Sequence, residues 1–412
     1  MSTPATGPDS MPSRVDVAIV GGGVVGATLA LLLARRAGIA PARLLLIEPE
    51  PVQTPAPDRP YDLRVVAISP GNRALLEELG VWQAMDLGRV MAYERMVVWH
   101  ESLPPDGPDV LRFDAAELGE PDLGCIVENR NLQSALLARC AAEGIGLRRA
   151  RVAGLECDAS QARLTLDDGS VQAELVVGAD GSNSAVRRLA GIGLQGVSYE
   201  QQGIVATIRS ERSHQNTAWQ RFLATGPLAL LPLASGECSL VWSAREARAQ
   251  ELLAMSDAQF GAALTTASAG VLGRLEPSSA RANFPLRRLT ASNYVATRCA
   301  LMGDAAHVIH PLAGQGANEG LQDAVALART LAQRPHRESV GAARALQRYA
   351  RERRSGNALM GAMVDGLNSL FTGSPAAVAG LASAGMGLVG RSRLAQRMFF
   401  TRAAAGRSSP RR

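Results

Sequence analysis

The chain has 412 residues, 47% of them hydrophobic and 20% charged, which is typical of a globular protein with a sizeable core. Its formal charge of +5 is uneven, because residues 366–412 contain seven arginines and no acid, which leaves the rest of the chain at −2 and argues against a nucleic-acid-binding protein. The five cysteines form no CxxC pair and no metal-type spacing, which argues against a disulfide framework and favours a reducing, cytoplasmic location.

The amino-terminal segment, residues 1–12, is rich in Pro, Ser and Thr and lacks an apolar core, so it predicts a disordered leader rather than a signal peptide. Nowhere is an uncharged stretch continuously apolar over the ~20 residues that a membrane span requires. The first ordered segment is Val15–Val20, an apolar run that predicts a buried parallel strand.

A glycine-rich turn follows that strand and precedes a segment with helical spacing, so its GxGxxG pattern lies in the context of a dinucleotide-binding fold. Gly21 permits a tight turn, Gly23 lets the backbone approach a pyrophosphate, and Gly26 lets the helix pack closely on the strand. The second predicted strand ends in Glu48, whose carboxylate suits two ribose hydroxyls. The alternative is a glycine-rich turn followed by a chance acid.

The second motif, residues 174–187, again predicts a strand, a sharp turn at Asp180-Gly181 and a helix. Asp180 and Gly181 are candidate cofactor-binding residues. The alternative is an ordinary strand–turn–helix with Ser182 or Asn183 as the N-cap.

The third motif, residues 300–323, predicts a short strand, a loop rich in Gly and Pro, and a long helix from about Gly316. Asp304 is a candidate acceptor for a ribityl hydroxyl of a flavin. The start of the helix could stabilise negative charge on a reduced flavin. That start supplies four further candidate cofactor-binding residues, Gly314, Gly316, Ala317 and Asn318.

His307 and His310 lie in the same loop, three residues apart. No third ligand is evident nearby, so the sequence predicts no metal site. Packing or hydrogen bonding near the flavin is the preferred interpretation.

The order and separation of these motifs resemble the p-hydroxybenzoate-hydroxylase class of FAD-dependent monooxygenases. Within that class, residues 310–323 (HPLAGQGANEGLQD) resemble the signature of the ubiquinone-biosynthesis aromatic hydroxylases. Residues 62–69 and 127–136 also match that family, as do 220–222 followed by 226–233, and the likeness covers roughly residues 15–350. Ala324 and Val66 depart from the usual pattern and leave the subfamily open.

The resemblance implies noncovalent FAD, NAD(P)H as electron donor, and O2 as oxidant for a phenolic, polyprenylated ring. It places Arg64 and Arg130 against the flavin and its phosphates, although on sequence alone either could be a surface arginine. It puts the candidate catalytic loop, with His310, Pro311 and Gly314, beside the isoalloxazine.

An apolar wall opposite that loop is assigned to Phe222 and Pro232, the candidate substrate-pocket residues. Within the same cofactor fold, a flavin halogenase or an isoprenoid reductase is an alternative, although the WxWxIP motif of the halogenases is missing from the sequence. An accessory flavoprotein that scaffolds a quinone-biosynthesis complex is the alternative from another class.

The predicted fold is α/β, with a Rossmann-like FAD-binding domain, an inserted antiparallel-sheet substrate domain and a C-terminal helical region. The predicted FAD-binding domain comprises 13–75, 100–185 and 285–335, and the substrate domain comprises 76–99 and 190–284. Residues 336–412 form the helical region with its basic tail. Apolar residues at helical spacing in 359–371, followed by the arginines, indicate either a docked core helix or peripheral contact with the inner face of a membrane.

Overall fold

The computed structural model describes residues 13–51, 59–308 and 315–371, with the backbone alone at 315 and 358–371. The strands, in chain order, are β1 Arg14–Val20, β2 Leu44–Ile47, β3 Val65–Ile68, β4 Met91–Tyr93, β5 Arg95–His100, β6 Leu111–Asp114, β7 Gly124–Glu128, β8 Gly146–Arg148, β9 Val152–Cys157, β10 Ala162–Leu166, β11 Gly169–Gly178, β12 Leu194–Ser210, β13 Thr217–Leu223, β14 Gly226–Pro232, β15 Cys238–Arg245, β16 Leu275–Pro277, β17 Ala282–Ala291, β18 Val295–Ala296, β19 Cys299–Leu301 and β20 His307–Val308. The helices are α1 Val24–Arg36, α2 Pro70–Glu78, α3 Ala115–Leu118, α4 Asn129–Ala142, α5 Ala185–Leu189, α6 Glu246–Ala254, α7 Asp257–Ala267, α8 Gln315–Ala332 and α9 Ala343–Phe371.

The first sheet has the order β18-β19-β11-β1-β2-β8, with β10 and β9 added beside β11. Strand β1 runs parallel to β2 and β11, and β11 runs parallel to β19. The last four residues of β1 are all buried, as expected for a strand covered on both faces. This confirms the predicted parallel strand and the Rossmann-like architecture.

The second sheet has the order β20-β17-β12-β15-β14-β13-β5-β6, with β16 beside β12. Its pairs are antiparallel except for β5 and β13, which run parallel. Helices α6 and α7 cover one face, where Leu252 and Phe260 join Leu228 and Trp242 in a single apolar core. The predicted antiparallel sheet is therefore confirmed.

A third, small sheet has the order β3-β7-β4. It holds two of the segments that carry the family resemblance, since β3 lies within 62–69 and β7 ends at the start of 127–136. Strand β4 belongs to this sheet and β5 to the second, so the predicted range 76–99 contributes to both. The division of residue ranges between the two domains stays a prediction.

Helix α8 packs against α1 and against the C-terminal helix α9, which confirms a helical region after the third motif. No helix within the described ranges is long and apolar enough to cross a membrane. The predicted leader and the seven tail arginines lie outside the described residues.

Candidate functional site

The three sequence motifs meet at one edge of the first sheet. They follow the ends of β1, β11 and β19, which are parallel neighbours, and Glu48 follows β2 beside them. Backbone hydrogen bonds continue past the strand ends, from Gly21 N–H to the Ile47 carbonyl (2.8 Å) and from Ala179 N–H to the Val20 carbonyl (2.7 Å). The carboxyl ends of parallel strands are where such sheets bind their ligands, so the motifs form a single cleft.

The glycines of the first turn differ in what surrounds them. Gly21 has φ +108°, and a Cβ there would lie 2.3 Å from the Ala179 carbonyl oxygen. A Cβ on Gly26 would lie 2.0 Å from the Gly21 carbonyl oxygen, so both positions need glycine for packing. A Cβ on Gly23 would meet no atom within 4 Å. Only at Gly23 is space left open for a ligand against the backbone.

The carboxylate of Glu48 holds this turn in place. Its Oε2 accepts from Gly22 N–H at 2.8 Å, and its Oε1 accepts from Glu50 N–H at 3.1 Å. Gln133 on α4 donates to the Gly22 carbonyl from the other side, at 3.0 Å. A carboxylate has about four acceptor positions, so Glu48 keeps capacity for ribose hydroxyls.

Asp180 serves the helix that follows it. Its carboxylate accepts from the Ser184 hydroxyl (2.5 Å) and from the Ala185 N–H (2.7 Å) at the start of α5. The N-cap of α5 is Ser184, so the alternative that placed it at Ser182 or Asn183 is wrong in position. Gly181, with φ +77° and open space at its Cβ position, leaves the backbone accessible.

Arg187 joins the second motif to the third. This 5%-exposed side chain donates to the Ala305 carbonyl at 3.0 Å and to the Ser182 carbonyl at 2.8 Å. Burial lowers the pKa of Arg187. Arg187 was not identified in the sequence analysis, because nothing in the sequence distinguishes it from other arginines on short helices.

Asp304 lies in a 3-10 turn directly after β19, and its side chain is half-buried. Among the described residues, none donates a hydrogen bond to its carboxylate, which leaves both oxygens for a ligand hydroxyl. A Cβ on Gly316, at the start of α8, would also meet only open space. Ala317 lies beside it and is half-buried.

Asn318 uses its side chain for the fold. Its Oδ1 accepts from Ser69 N–H (3.1 Å) and Asn72 Nδ2 (2.8 Å), and its Nδ2 donates to the Ala67 carbonyl (2.8 Å). Any contact of Asn318 with a cofactor therefore falls to its backbone N–H, in the first turn of α8, where such groups lack helical partners.

Arg64 and Arg130 are both exposed, and Arg130 lines a cavity of about 290 Å³ together with Tyr61 and Asp62. Arg130 lies 3.6 Å from the Asp62 carboxylate. Beneath them is a buried ion pair that the sequence did not indicate, in which Arg89 donates to Glu128 at 2.6 and 2.9 Å. The hydrogen bond to Glu128, despite burial, raises the pKa of Arg89.

His307 belongs to a buried network below the third motif. Its Nε2 lies 2.6 Å from Asp323 Oδ2, which also accepts from Gly303 N–H at 2.9 Å. Arg353 on α9 donates to the other oxygen of Asp323 and to Glu319. His307 is therefore a buried hydrogen-bonding partner of Asp323. His310 lies outside the described residues, and those that are described contain no cluster of three His, Cys, Asp or Glu that could hold a metal.

Charges within this network shift the pKa values of His307 and Asp323. Burial alone lowers the pKa of His307, but the charge of Asp323 and their hydrogen bond outweigh it and raise the pKa above its ordinary value. Burial raises the pKa of Asp323, but His307 and Arg353 more than offset it and hold the pKa below its ordinary value. The network therefore favours an ionised Asp323.

Phe222 and Pro232 do not share a face of the second sheet. Pro232 pairs with Cys238, which belongs to the apolar core under α6 and α7. Strand alternation puts Phe222 on the opposite face, since Leu223 is in that core. The structure thus does not bring the two together on one wall, and their role in a pocket stays a prediction.

The face of this sheet away from α6 and α7 carries residues that the sequence analysis missed. Four apolar side chains on neighbouring strands there are only half-buried: Val205, Ala229, Leu231 and Val241. Register places them together, because Val205 pairs with Val241 and Val241 with Ala229. Combining strand alternation with hairpin register would have found them. We call these four residues the open face.

His310, Pro311 and Gly314, the candidate catalytic loop, lie outside the described residues. On either side of them, Val308 ends β20 at the edge of the second sheet and Gln315 begins α8. The cleft fits FAD, since Gly23, Gly181 and Gly316 leave open space and the Asp304 carboxylate is free of protein donors within the described chain.

Comparison with known proteins agrees with this geometry. The family described as FAD binding domain matches residues 14–360. The chain is 39% identical to ubiquinone hydroxylase UbiL of Rhodospirillum rubrum, covering 97% of this chain and 92% of that protein. It is 40% identical to 3-demethoxyubiquinol 3-hydroxylase of Escherichia coli (85% and 88%) and 35% identical to the human ubiquinone biosynthesis monooxygenase COQ6 (87% and 86%).

Solved structures show the same fold. p-Nitrophenol 4-monooxygenase PnpA of Pseudomonas putida superposes with a TM-score of 0.74 at 18% identity, covering 97% of this chain and all of that one. HpxO of Klebsiella pneumoniae, complexed with FAD and uric acid, gives 0.72 at 20% identity, covering 94% and 97%. The chain therefore belongs to the FAD binding domain family and, within it, to the ubiquinone-biosynthesis hydroxylases, which are FAD-dependent monooxygenases.

Proposed function

We propose that this enzyme hydroxylates a phenolic ring that carries a polyprenyl chain, in ubiquinone biosynthesis, with NAD(P)H and O2 as co-substrates. The observation that supports this most directly is the open face of the second sheet, a sheet whose edge strand β20 adjoins the cofactor cleft. Apolar side chains left half-buried on a sheet face suit a flat, apolar ring. The relatives named for ubiquinone and its precursors supply the substrate class.

The second sheet and the cleft are close in the chain. Asp304 lies in the cleft and His307 begins β20, so only two residues separate them, a span of about 10 Å at most. A second connection comes from Tyr61, near Arg64, which lies close to Ser235 in the turn between β14 and β15. The second sheet, which carries the open face, is therefore joined to the cleft at two points.

When bound, FAD supplies the redox chemistry, taking electrons from the nicotinamide and activating O2. The residues of this chain bind and orient. We assign the Asp304 carboxylate to a flavin hydroxyl and the first N–H groups of α8 to the electron-rich edge of the ring system. The open face excludes water from the reacting atoms, which limits wasteful release of H2O2.

Isotopically labelled O2 tests this proposal. With a short-chain prenylphenol and NAD(P)H, one labelled oxygen is expected in the hydroxylated product, and the phenol should stimulate NAD(P)H oxidation. Labelled water with ordinary O2 is the control and should leave the product unlabelled. Label entering from water, or NAD(P)H oxidation that the phenol does not stimulate, would contradict the proposal, and the second result would favour an accessory flavoprotein.

Peripheral contact with the inner face of a membrane is also part of the proposal. The backbone of α9 continues as a helix to Phe371, through positions whose spacing puts apolar residues on one face. The seven arginines beyond Gly390 could each contribute about 1 kcal/mol near an anionic leaflet. The alternative is that the helix docks on the FAD-binding domain. Assembly into a quinone-biosynthesis complex stays a prediction.

Liposome co-sedimentation separates these alternatives. The full-length protein is compared with a full-length variant in which the seven tail arginines are changed to Gln. Anionic vesicles should retain the wild type more strongly, with the difference shrinking at high salt. Equal partitioning of both proteins onto the vesicles would show that the tail arginines do not contribute to membrane contact.

A further inference from the structure

Gln201 on β12 has a side-chain amide without a partner among the described residues. The residue is 6% exposed, and its Oε1 is buried with no hydrogen-bond donor there. None of the described residues accepts from its Nε2 either. A buried amide oxygen left unpaired is costly, so native proteins normally provide a partner, and a ligand on this face of the sheet would supply one.

The position of Gln201 in the sheet directs it to the open face. Even-numbered residues of β12, such as Ile204 and Ala206, lie in the core under α6 and α7. Gln201 alternates with them and shares the other face with Val205. It lies two residues, or about 7 Å, from Gly203 along the strand.

A β-bulge precedes Gln201. The register between β12 and β17 shifts between Ser198 and Gln201, and Glu200 adopts φ +54°. Bulges re-aim side chains and are common beside active sites. After the shift, Gln201 pairs with Leu286, three residues from Leu289, which pairs with Val308 in β20. Gln201 is thus offset from Val308, at the edge that adjoins the cleft, by about 10 Å along the strands and by two strand spacings, roughly 10 Å, across them.

An aromatic ring lies next to Gln201. A Cβ on Gly203 would be 2.8 Å from the ring of Phe284, so this ring occupies the space over Gly203. Phe284 is 39% exposed, unusual for a large apolar side chain. An accessible aromatic ring beside an unpartnered amide suits a ligand with a flat ring and a hydroxyl.

We propose that the Gln201 amide binds the ring hydroxyl of the substrate and selects phenols over rings that lack the hydroxyl. A phenol hydroxyl both donates and accepts, so it pairs with the amide in either orientation. A site that provides such a bond discriminates strongly against analogues that cannot make it, because its buried polar group is then left unpaired. This inference rests on the proposed function and names the residue that sets its substrate class.

The test uses the full-length FAD-loaded protein with 2-geranylphenol and geranylbenzene, which differ only in the hydroxyl. Binding is followed by perturbation of the flavin absorbance, and turnover by product formation. Wild type should prefer the phenol, and Gln201→Met, which keeps the length of the side chain without its hydrogen bonds, should lose at least about tenfold of that preference. Gln202→Met is the matched control, because Gln202 lies on the opposite face, where its amide accepts from Asn283 at 3.3 Å.

Flavin content is measured first, and Gln201→Leu replaces Gln201→Met should the latter lose its flavin. A variant with normal flavin and an unchanged preference for the phenol would overturn the inference. A wild type that neither binds nor hydroxylates 2-geranylphenol would instead overturn the proposed function.

Discussion

The two large sheets provide their sites in different ways. At the carboxyl edge of the first sheet, the cleft is formed by backbone turns, and each turn is one contiguous stretch of sequence after one strand. On the second sheet, the open face is formed by alternate side chains of β12, β14 and β15, spread over 37 residues from Val205 to Val241. A site made of local turns can be found in the sequence as a motif. A site made by strand register exists only once the strands pair.

The largest effect that we expect tests whether the cleft depends on its local turns alone. Arg353, 11% exposed, pairs with Glu319 and with Asp323, 30 residues earlier in the chain, and so supports the Gly303–Asp304 turn. Arg353→Met leaves buried carboxylates short of a partner and should lower the free energy of unfolding by about 3–5 kcal/mol. It should also weaken FAD binding, because the turn loses its support.

Arg354→Met is the control for this change, since Arg354 is exposed and makes one long contact of 3.4 Å with Asn293. Chemical denaturation and flavin titration measure both variants. Normal stability in Arg353→Met would show that the turn is as locally determined as its sequence motif suggests.

The sequence was sufficient where the structure is local. The apolar run 15–20 and the spacing of Gly21 and Gly26 predicted β1, its turn and α1, because Gly26 packs against Gly21 and Ile19, only a few residues earlier in the chain. It was insufficient where partners come together only by folding. Arg89 and Glu128 are 39 residues apart, and nothing near either one indicates the other. Phe222 and Pro232 were assigned to one wall in the sequence analysis. That assignment was wrong because hairpin register sets the face that each residue occupies, and the register is known only from the folded structure.

A pair of glycine variants sharpens the comparison within the first turn. Gly26→Ala places a Cβ against the Gly21 carbonyl and should lower the free energy of unfolding of the flavin-free protein by about 1–3 kcal/mol. Gly23→Ala meets open space, so the flavin-free protein should keep its stability while FAD affinity falls. Denaturation and flavin titration of both variants measure this. An unchanged FAD affinity in Gly23→Ala would mean that the open space is not where the cofactor lies.

A substitution on the open face should weaken substrate binding and leave FAD binding unchanged, which is the opposite of the effect expected in the glycine turn. Val241→Thr keeps the shape of the side chain but adds a hydroxyl to the open face, which should weaken substrate binding by about 1–2 kcal/mol, or roughly tenfold. FAD content should be unchanged. Val197→Thr, on the same sheet at a position 51% exposed, is the control. If Val241→Thr weakened FAD binding and spared the substrate, the two sites would not be separate as the comparison holds.

The smallest effect concerns pH and the network below the cleft. The pKa of His307 is raised on folding, so its contribution to stability is complete below its ordinary pKa of 6.5 and is lost as the pH rises through the raised value. The pKa of Asp323 is lowered, so its contribution is present above the ordinary value of 3.8 and is lost as the pH falls through the lowered value. The network should therefore stabilise the fold most between pH 3.8 and pH 6.5, the ordinary pKa values of the two groups.

The difference in free energy of unfolding between wild type and His307→Asn isolates the histidine. That difference should shrink as the pH rises above 6.5, whereas the wild-type curve alone is confounded by His100 and His214, whose pKa values burial lowers and which titrate with the opposite sign. His336→Asn, at an exposed position, is the control. A difference that stays constant or grows above pH 6.5 would mean that His307 is neutral in the folded protein and keeps only a neutral hydrogen bond to Asp323. The positive charge that balances Asp323 below the Asp304 turn would then come from Arg353 on α9 rather than from the third motif itself.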